Sequence, residues 1–242
     1  MRRLRLLLGS CVVLALAAVA WTGAAAGAAP GVCAGGEIAA GTYAGLSVYG
    51  NCTFAAGSVR IDGNLIVGPG AVLNDHAASP ATVVVNGNAI VQQGGVLGLG
   101  TYANPTSHQT AVVNGNVIAN GAASLYLSDA TVRGNVIVTG GGDPGRNLPI
   151  KDDTINGNVV IQGWTGLWFG VVRDTVGGNV ILANNRASDT SQEPGSDSTE
   201  VVTNTISGNL VCTGNAPAAQ IGDSGGTPNT VSGKKIGECA GL

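Results

Sequence analysis

Charged and aromatic residues are scarce in this chain of 242 residues. Charged residues make up 10% and aromatic residues 4%, whereas an average soluble domain has about 25% charged residues. Only eight Lys and Arg lie beyond the first five residues, too few for the clustered basic surface that phosphate contacts require. We therefore expect no nucleic-acid partner, and the 44% apolar residues argue against a disordered chain.

A long hydrophobic run occurs only near the start of the chain. Three of the first five residues are Arg, an apolar run follows over residues 6–21, and small residues over 26–28 form an A-x-A cleavage site. Sixteen residues are fewer than the about 20 that a membrane-spanning helix needs. We expect a cleaved secretory signal peptide over 1–28, no membrane span after processing, and a mature chain with eight basic and fourteen acidic residues.

The mature chain also lacks a sustained helical period of 3.6 residues. Instead, the dipeptide Gly-Asn followed by an aliphatic triplet recurs seven times, at spacings of 24, 28, 19, 23, 21 and 30 residues. Short β-branched runs bounded by Gly and Asn are typical of strands and turns. The repeats begin at Gly63, Gly87, Gly115, Gly134, Gly157, Gly178 and Gly208.

Repeats of about 20–25 residues, each with two or three short strands, predict an all-β fold in which coils stack as a parallel β-helix. A β-propeller is the alternative, but its blades need about 40–45 residues. Eight or nine coils would form a rod about 40 Å long. We expect an N-terminal cap with a first irregular coil over 29–57, then the β-helix over 58–242 with a stapled C-terminal cap.

The Gly-Asn pair predicts a sharp turn, because Gly accepts a positive φ without cost and Asn tolerates one. Stacked in register, the side-chain amides would satisfy one another from coil to coil. The expected role of this column is structural. It contains Asn64, Asn88, Asn116, Asn135, Asn158, Asn179 and Asn209.

The aliphatic triplet predicts an outward apolar column, because successive strand residues point to opposite faces. If the first and third residues face the core, the second faces out. An uncovered stripe of this length would be an unusually large apolar patch, so we expect a loop or another chain to cover it. The column contains Ile66, Ile90, Ile118, Ile137, Val160, Ile181 and Val211.

A second outward column consists of threonines three residues before the Gly, as at Thr175. Regular threonine arrays can bind ice, but the neighbouring outward position here varies, and a β-favouring Thr ladder explains the column better. Asp or Asn precedes four of these threonines, which is what turn initiation requires. Stacked carboxylates could bind Ca²⁺, but the glycine-rich nonapeptide of calcium-binding solenoids is absent. We therefore expect no metal and no cofactor.

Four cysteines remain after processing, and an even number in an exported chain implies disulfides. Three connectivities are possible. Proximity in the sequence favours Cys33–Cys52 and Cys212–Cys239, so that each bridge would staple one end, where a solenoid needs a cap.

The few aromatic residues cluster at Trp164, Trp168 and Phe169. Four repeats have a Leu ten residues after the Gly, such as Leu167, and we expect this Leu to face the core. Trp168 and Tyr126 each follow such a Leu by one residue, so we expect them to point outward. Exposed Trp and Tyr on a rigid β surface can stack on sugar rings or anchor a partner, and loops folding over them are the alternative. We treat these four residues as a candidate binding surface.

No set of side chains indicates catalysis. A glycosidase needs two carboxylates that flank a cleft, and linear spacing does not reveal such a pair. If the chain is a polysaccharide lyase or hydrolase, its acidic residues would come from the loops at 140–153 and 184–200.

The repeats over about residues 40–240 resemble the right-handed parallel β-helices of the pectate-lyase-like superfamily. More closely, the segments 208–217 and 229–239 are similar to small secreted β-helix proteins of high-GC Gram-positive bacteria. The resemblance implies a right-handed β-helix and export, without an assigned activity. The Gly-His-Gly and Arg-x-Lys motifs of polygalacturonases are absent, and fold membership does not decide function.

The sequence thus predicts a secreted, non-enzymatic structural, adhesive or binding module of the cell envelope or medium. Its expected partner is a polysaccharide or another envelope protein, and self-association is a further possibility. The alternative is the lyase or hydrolase described above.

Overall fold

The chain winds through three parallel sheets in turn, so that each coil adds one strand to each sheet. The computed structural model describes residues 28–73, 81–100, 111–189, 198–222 and 225–242. All strand pairs in these ranges are parallel, and the only helix there is the short 3₁₀ helix Glu238–Gly241. The predicted all-β parallel β-helix is confirmed, with about nine coils: eight contribute a strand to every sheet, the ninth contributes to the first and third sheets, and one further strand joins the first sheet.

The first sheet has ten strands, which lie in the order of the sequence because each pairs with the strand one coil earlier. In most of them the first and third residues are buried and the second is half-buried. The strands are Gly31–Cys33, Leu46–Val48, Leu65–Val67, Ala89–Val91, Val117–Asn120, Val136–Thr139, Val159–Gln162, Val180–Ala183, Leu210–Thr213 and Lys235–Gly237.

The second sheet has eight strands, and its central strands are buried on both faces. This burial explains why their sequences do not alternate between apolar and polar residues. The strands are Gly36–Ile38, Asn51–Phe54, Val72–Leu73, Val96–Gly100, Ser124–Ser128, Asn147–Lys151, Trp168–Val172 and Thr199–Val202.

The third sheet has nine strands, and its outward column ends in five stacked threonines. A further two-stranded sheet joins Thr165–Gly166 to Arg186–Ala187. The third-sheet strands are Gly41–Tyr43, Gly57–Ile61, Ala81–Val85, Ala111–Val113, Ala130–Val132, Thr154–Ile155, Thr175–Val176, Thr205–Ile206 and Thr230–Val231.

The core is one continuous apolar column inside the coils, filled mostly by Val, Leu and Ile from all three sheets.

Both expected disulfides are present, Cys33–Cys52 in the first coils and Cys212–Cys239 in the last. Disulfides persist in an oxidising compartment. Paired strands begin at Gly31, so the segment assigned to the N-terminal cap already contributes to the same three sheets.

The signal peptide predicted over 1–28 lies almost entirely outside the described residues. Among the residues that the structure describes, no helix has the length and apolarity that a membrane crossing requires.

Candidate functional site

The outward column of the first sheet is a continuous stripe of aliphatic side chains. Each member pairs in register with its counterpart one coil away. The inward orientation of the first and third triplet residues is confirmed, since Val136 and Val138 are fully buried while Ile137 between them is half-buried. We call this column the apolar stripe. It contains Ile66, Ile90, Ile118, Ile137, Val160, Ile181, Val211 and, in the last coil, Ile236.

The apolar stripe is only partly covered. All seven of the predicted members keep intermediate exposure, and Ile236 is 43% exposed. The expected cover by a loop is therefore not complete within the described coils. Contact of the stripe with another chain or a ligand stays a prediction.

A ladder of asparagine side chains borders the stripe on one side. In each coil the Asn backbone N–H donates to the Oδ1 of the Asn one coil earlier, at 2.8–2.9 Å. In five of these steps the Nδ2 donates to the same Oδ1 at 3.0–3.2 Å. The ladder ends where Lys234 N–H donates to Asn209 Oδ1 at 2.9 Å. We call it the outer ladder. It contains Asn64, Asn88, Asn116, Asn135, Asn158, Asn179 and Asn209.

The glycines of the Gly-Asn pairs have a different role from the one expected. None of them adopts a positive φ, so the prediction of a left-handed turn at these positions is wrong. A Cβ on Gly157 would instead lie 2.6 Å from both Gly134 O and Asn135 Oδ1, and the other repeats show the same overlap. The repeat needs Gly because the coils approach too closely for any side chain.

Uncharged side chains, polar in four of five coils, border the stripe on its other side. Asn120, Thr139, Gln162, Ala183 and Thr213 form this column in register. The first nine strands of the first sheet contain no charged residue, and only the tenth has one, Lys235. This face of the rod therefore presents aliphatic and amide groups without a charge.

A recess of about 670 Å³ interrupts this face between the third and sixth coils. The stripe residues Ile90 and Ile118 line it together with the amides of Gln92, Gln93 and Asn120. All three amide side chains are exposed. The recess thus combines an aliphatic wall with several hydrogen-bonding groups.

The prediction of an exposed aromatic surface is wrong for three of its four residues. Trp164 and Phe169 are fully buried in the core, with ring centroids 5.9 Å apart in an edge-to-face contact. Tyr126 is only 4% exposed and packs in a small cluster with Val96. Trp168 is half-buried. These four residues do not form a surface that could stack on a sugar.

Phe169 is buried because the strand of the second sheet is shifted by two residues from the position counted from the repeat Gly. The inward column there runs through Leu125, Leu148 and Phe169, so Phe169 occupies the inward position that the sequence assigned to Leu167. Trp168 then points outward as expected, beside Asn147 one coil earlier. Tyr126 also lies on the outward side, but this face of the second sheet is itself buried.

Asp153, at the end of the loop 140–153 suggested for an enzyme, is buried in the wall of the rod together with Asp174. Asp153 and Asp174 are 2% and 1% exposed, and Asp153 N–H donates to Asp174 Oδ1 at 2.8 Å. The column continues as Asp174 N–H donates to Asn204 Oδ1 at 2.8 Å, and Asn204 N–H to Asn229 Oδ1 at 3.1 Å. We call these four residues the inner ladder.

Burial raises the pKa of both inner-ladder carboxyl groups well above the ordinary range, and in Asp174 the charge of Asp153 adds to the shift. Their positions inside the wall suit a structural role. The neighbouring Asp152 makes a two-point ion pair with Arg173 at 2.6 and 2.7 Å. In the loop at 140–153, Asp143 Oδ1 accepts a hydrogen bond from Gly145 N–H at 2.8 Å.

The other loop suggested for an enzyme, 184–200, lies partly outside the described residues. At its end, Glu200 is 2% exposed. Within the described ranges, no group of three or more His, Cys, Asp or Glu is placed to hold a metal ion.

A second buried amide column near the C-terminus was not anticipated from the sequence. Asn185 Nδ2 donates to Asn215 Oδ1, and Asn215 donates in turn to both carboxylate oxygens of Glu238, at 2.8–2.9 Å. Glu238 thus terminates the column at the C-terminal cap. The only sequence signal was that Asn185 and Asn215 both lie seven residues after a repeat Gly.

With the geometry established, comparison with known proteins adds no family. No protein-family model, curated protein or solved structure matches this chain.

Proposed function

We propose that this protein is a secreted, non-enzymatic binding module of the cell envelope or its surroundings, and that the apolar stripe is its contact surface. The observation that carries the proposal is the register of the stripe: eight aliphatic side chains stack along one face and stay partly exposed. Apolar patches of several hundred Å² on a soluble protein mark interaction sites.

Secretion is supported by the N-terminal targeting pattern and by the two disulfides. The resemblance to secreted right-handed β-helix proteins points the same way. The rigidity of a stacked solenoid also suits binding, since a preorganised surface loses little entropy when a partner docks.

The lyase or hydrolase alternative has less support in the described residues. Asp153 and Asp174, which stack in adjacent coils, lie inside the wall and not beside a groove. A glycosidase needs two carboxylates on either side of the scissile bond, and these two groups have no access to one.

The test is sedimentation of the mature protein with cellulose, chitin, peptidoglycan sacculi and polygalacturonate, with reducing ends measured in parallel. The stripe variant is Ile137→Lys/Ile181→Lys. The control variant, Thr154→Lys/Thr205→Lys, adds the same charges to the third sheet, and melting curves verify that both fold. Saturable binding without reducing-end release, lost in the stripe variant and kept in the control, is the expected result. Turnover of a polysaccharide, or equal binding by the stripe variant, would overturn the proposal.

A further inference from the structure

The recess beside Ile90 and Ile118 has the size of a small-molecule site. Its volume of about 670 Å³ lies within the about 300–1,000 Å³ of typical ligand pockets. It opens on the same face as the apolar stripe, and two members of the stripe line it. A ligand in the recess could therefore extend along the stripe.

The polar groups around the recess are free to bind a ligand. The described chain contains no hydrogen bond to the side-chain amides of Gln92, Gln93 or Asn120. Each amide offers two N–H donors and a carbonyl acceptor. The outer ladder does not line the recess, but it offers further donors on the same face, because five of its Nδ2 groups donate one hydrogen to the neighbouring Asn and have no second bond among the described residues.

The recess gives a charged ligand no partner of opposite charge. No charged residue lines it, and the first nine strands of this sheet contain none. An ionised group that loses water without gaining such a partner is disfavoured more strongly than a neutral polar group. A neutral ligand with apolar surface and several hydrogen-bonding groups therefore matches this lining best.

The dimensions of the stripe argue against a second copy of the chain as the occupant. From Ile66 to Ile236 the stripe spans seven coil steps, about 35 Å at the usual strand spacing. A three-residue strand is about 10 Å long, so the stripe covers about 350 Å² on each copy. A stable protein interface needs about 800 Å² on each side, so a narrow, extended ligand suits the stripe better.

We propose that the recess binds a sugar unit of a neutral polysaccharide, with the rest of the glycan chain lying along the apolar stripe. A sugar ring presents C–H groups to the isoleucines and hydroxyl groups to the three amides. This inference rests on the proposed function and names the ligand class of the same face.

The test is calorimetric titration of the mature protein with cellohexaose, chitohexaose, tetragalacturonate and an uncharged hexapeptide. The recess variant is Gln92→Ala/Asn120→Ala. The control variant, Thr154→Ala/Thr205→Ala, removes exposed polar side chains from the third sheet, away from the recess and the stripe. We expect a neutral hexasaccharide to bind, the recess variant to bind it at least tenfold more weakly, and the control to change less than twofold.

Three outcomes would overturn the inference: equal weakening in both variants, tighter binding of tetragalacturonate than of the neutral sugars, or equally tight binding of the peptide. These outcomes are separable from failure of the proposed function. If the stripe variant Ile137→Lys/Ile181→Lys loses polysaccharide binding while the recess variant keeps it, the recess assignment fails and the stripe remains the contact surface. If the stripe variant binds normally, the proposed function itself fails.

Discussion

The outer ladder and the inner ladder use the same side-chain geometry in different surroundings. In five of the six steps of the outer ladder the Nδ2 donates to one Asn, and these Nδ2 groups have no second bond among the described residues. In the inner ladder Asn204 Nδ2 donates both to Asn229 Oδ1 at 2.8 Å and to Val171 O at 2.7 Å. Because buried polar groups must be satisfied by the protein itself, Asn204 in the inner ladder uses both hydrogens of its amide, whereas the outer ladder keeps donors available at the surface.

The two ladders also differ in composition. The outer ladder contains only Asn, whereas the inner ladder begins with Asp153 and Asp174. Asn229 Nδ2 donates to Val201 O at 2.8 Å, as Asn204 does to Val171 O. The two Asp residues do not make this bond. The Oδ2 of each accepts a backbone N–H at 3.1 Å instead, and burial outweighs these bonds and leaves the pKa of both carboxyl groups raised. One column geometry therefore accepts Asn where the second side-chain atom meets a carbonyl, and Asp where it meets a backbone N–H.

The largest expected effect comes from breaking the outer ladder at a glycine. In Gly157→Ala the new Cβ would overlap Gly134 O and Asn135 Oδ1, so the coils must separate locally. We expect a loss of about 3 kcal/mol in the free energy of unfolding, the upper range for overpacking, measured by urea denaturation. Gly145→Ala is the control, because its Cβ would make an ordinary contact of 3.4 Å. Equal stability of the two variants would refute the close-stacking explanation.

The second-largest loss of stability is expected to differ between the two ladders. Asn204→Ala leaves Val171 O, Asp174 N–H and other buried groups unpaired, and we expect a loss of about 2 kcal/mol. Asn158→Ala breaks the half-buried outer ladder, where water can replace the lost bonds, and should cost about 1 kcal/mol. Urea denaturation of both variants at one pH measures the difference. If Asn158→Ala loses more stability than Asn204→Ala, burial does not determine how much each ladder contributes to the free energy of unfolding.

A gain in stability is expected when Asp174 becomes Asn. Asn removes a buried charge that Asp153 repels, and this gain exceeds the loss of the bond that Val172 N–H donates to Asp174 Oδ2 at 3.1 Å, so Asp174→Asn should stabilise the protein at pH 7 by about 1–2 kcal/mol. Asp143→Asn in an exposed turn keeps its Oδ1 acceptor and is the control, with an expected change below about 0.5 kcal/mol.

The gain should depend on pH in a defined direction. The pKa of Asp174 is higher in the folded chain than in the unfolded chain, so the native state binds more protons. Wild-type stability attributable to this group therefore falls as the pH rises above the unfolded pKa of about 3.9. The advantage of Asp174→Asn over wild type should shrink toward zero below pH 4 and grow as the pH approaches neutrality. A constant difference across pH 3–8 would show that Asp174 does not titrate abnormally.

The sequence was sufficient for those features that depend on local spacing. The period-two rule of a strand placed Ile137 outward and its neighbours inward, and the constant offset of Asn158 from its Gly aligned the outer ladder. Both features lie within four residues of the repeat Gly, so loops of unequal length elsewhere in the coil do not disturb them.

The sequence did not predict which side chains are buried in the part of each coil that follows the loops of unequal length. Counting from the repeat Gly placed Leu167 inward, but extra residues before the second-sheet strand give that position to Phe169. Counting also gives no information on which outward faces are covered, and Tyr126 is buried although it lies on the outward side. The role of Gly157 was misassigned because close approach between coils is a tertiary contact, absent from the local sequence.

The smallest effect is expected in the threonine column of the third sheet. It repeats in register like the two ladders, through Thr154, Thr175 and Thr205, but the described residues include no hydrogen bond from these three hydroxyl groups. Thr175→Val keeps the β-branched shape and removes only an exposed hydroxyl, so the free energy of unfolding should change by less than about 0.5 kcal/mol. A thermal melt beside Asn204→Ala measures the contrast. A loss as large as that of Asn204→Ala would mean that stacking in register is itself stabilising, whereas a neutral result assigns the stability of the ladders to their buried hydrogen bonds.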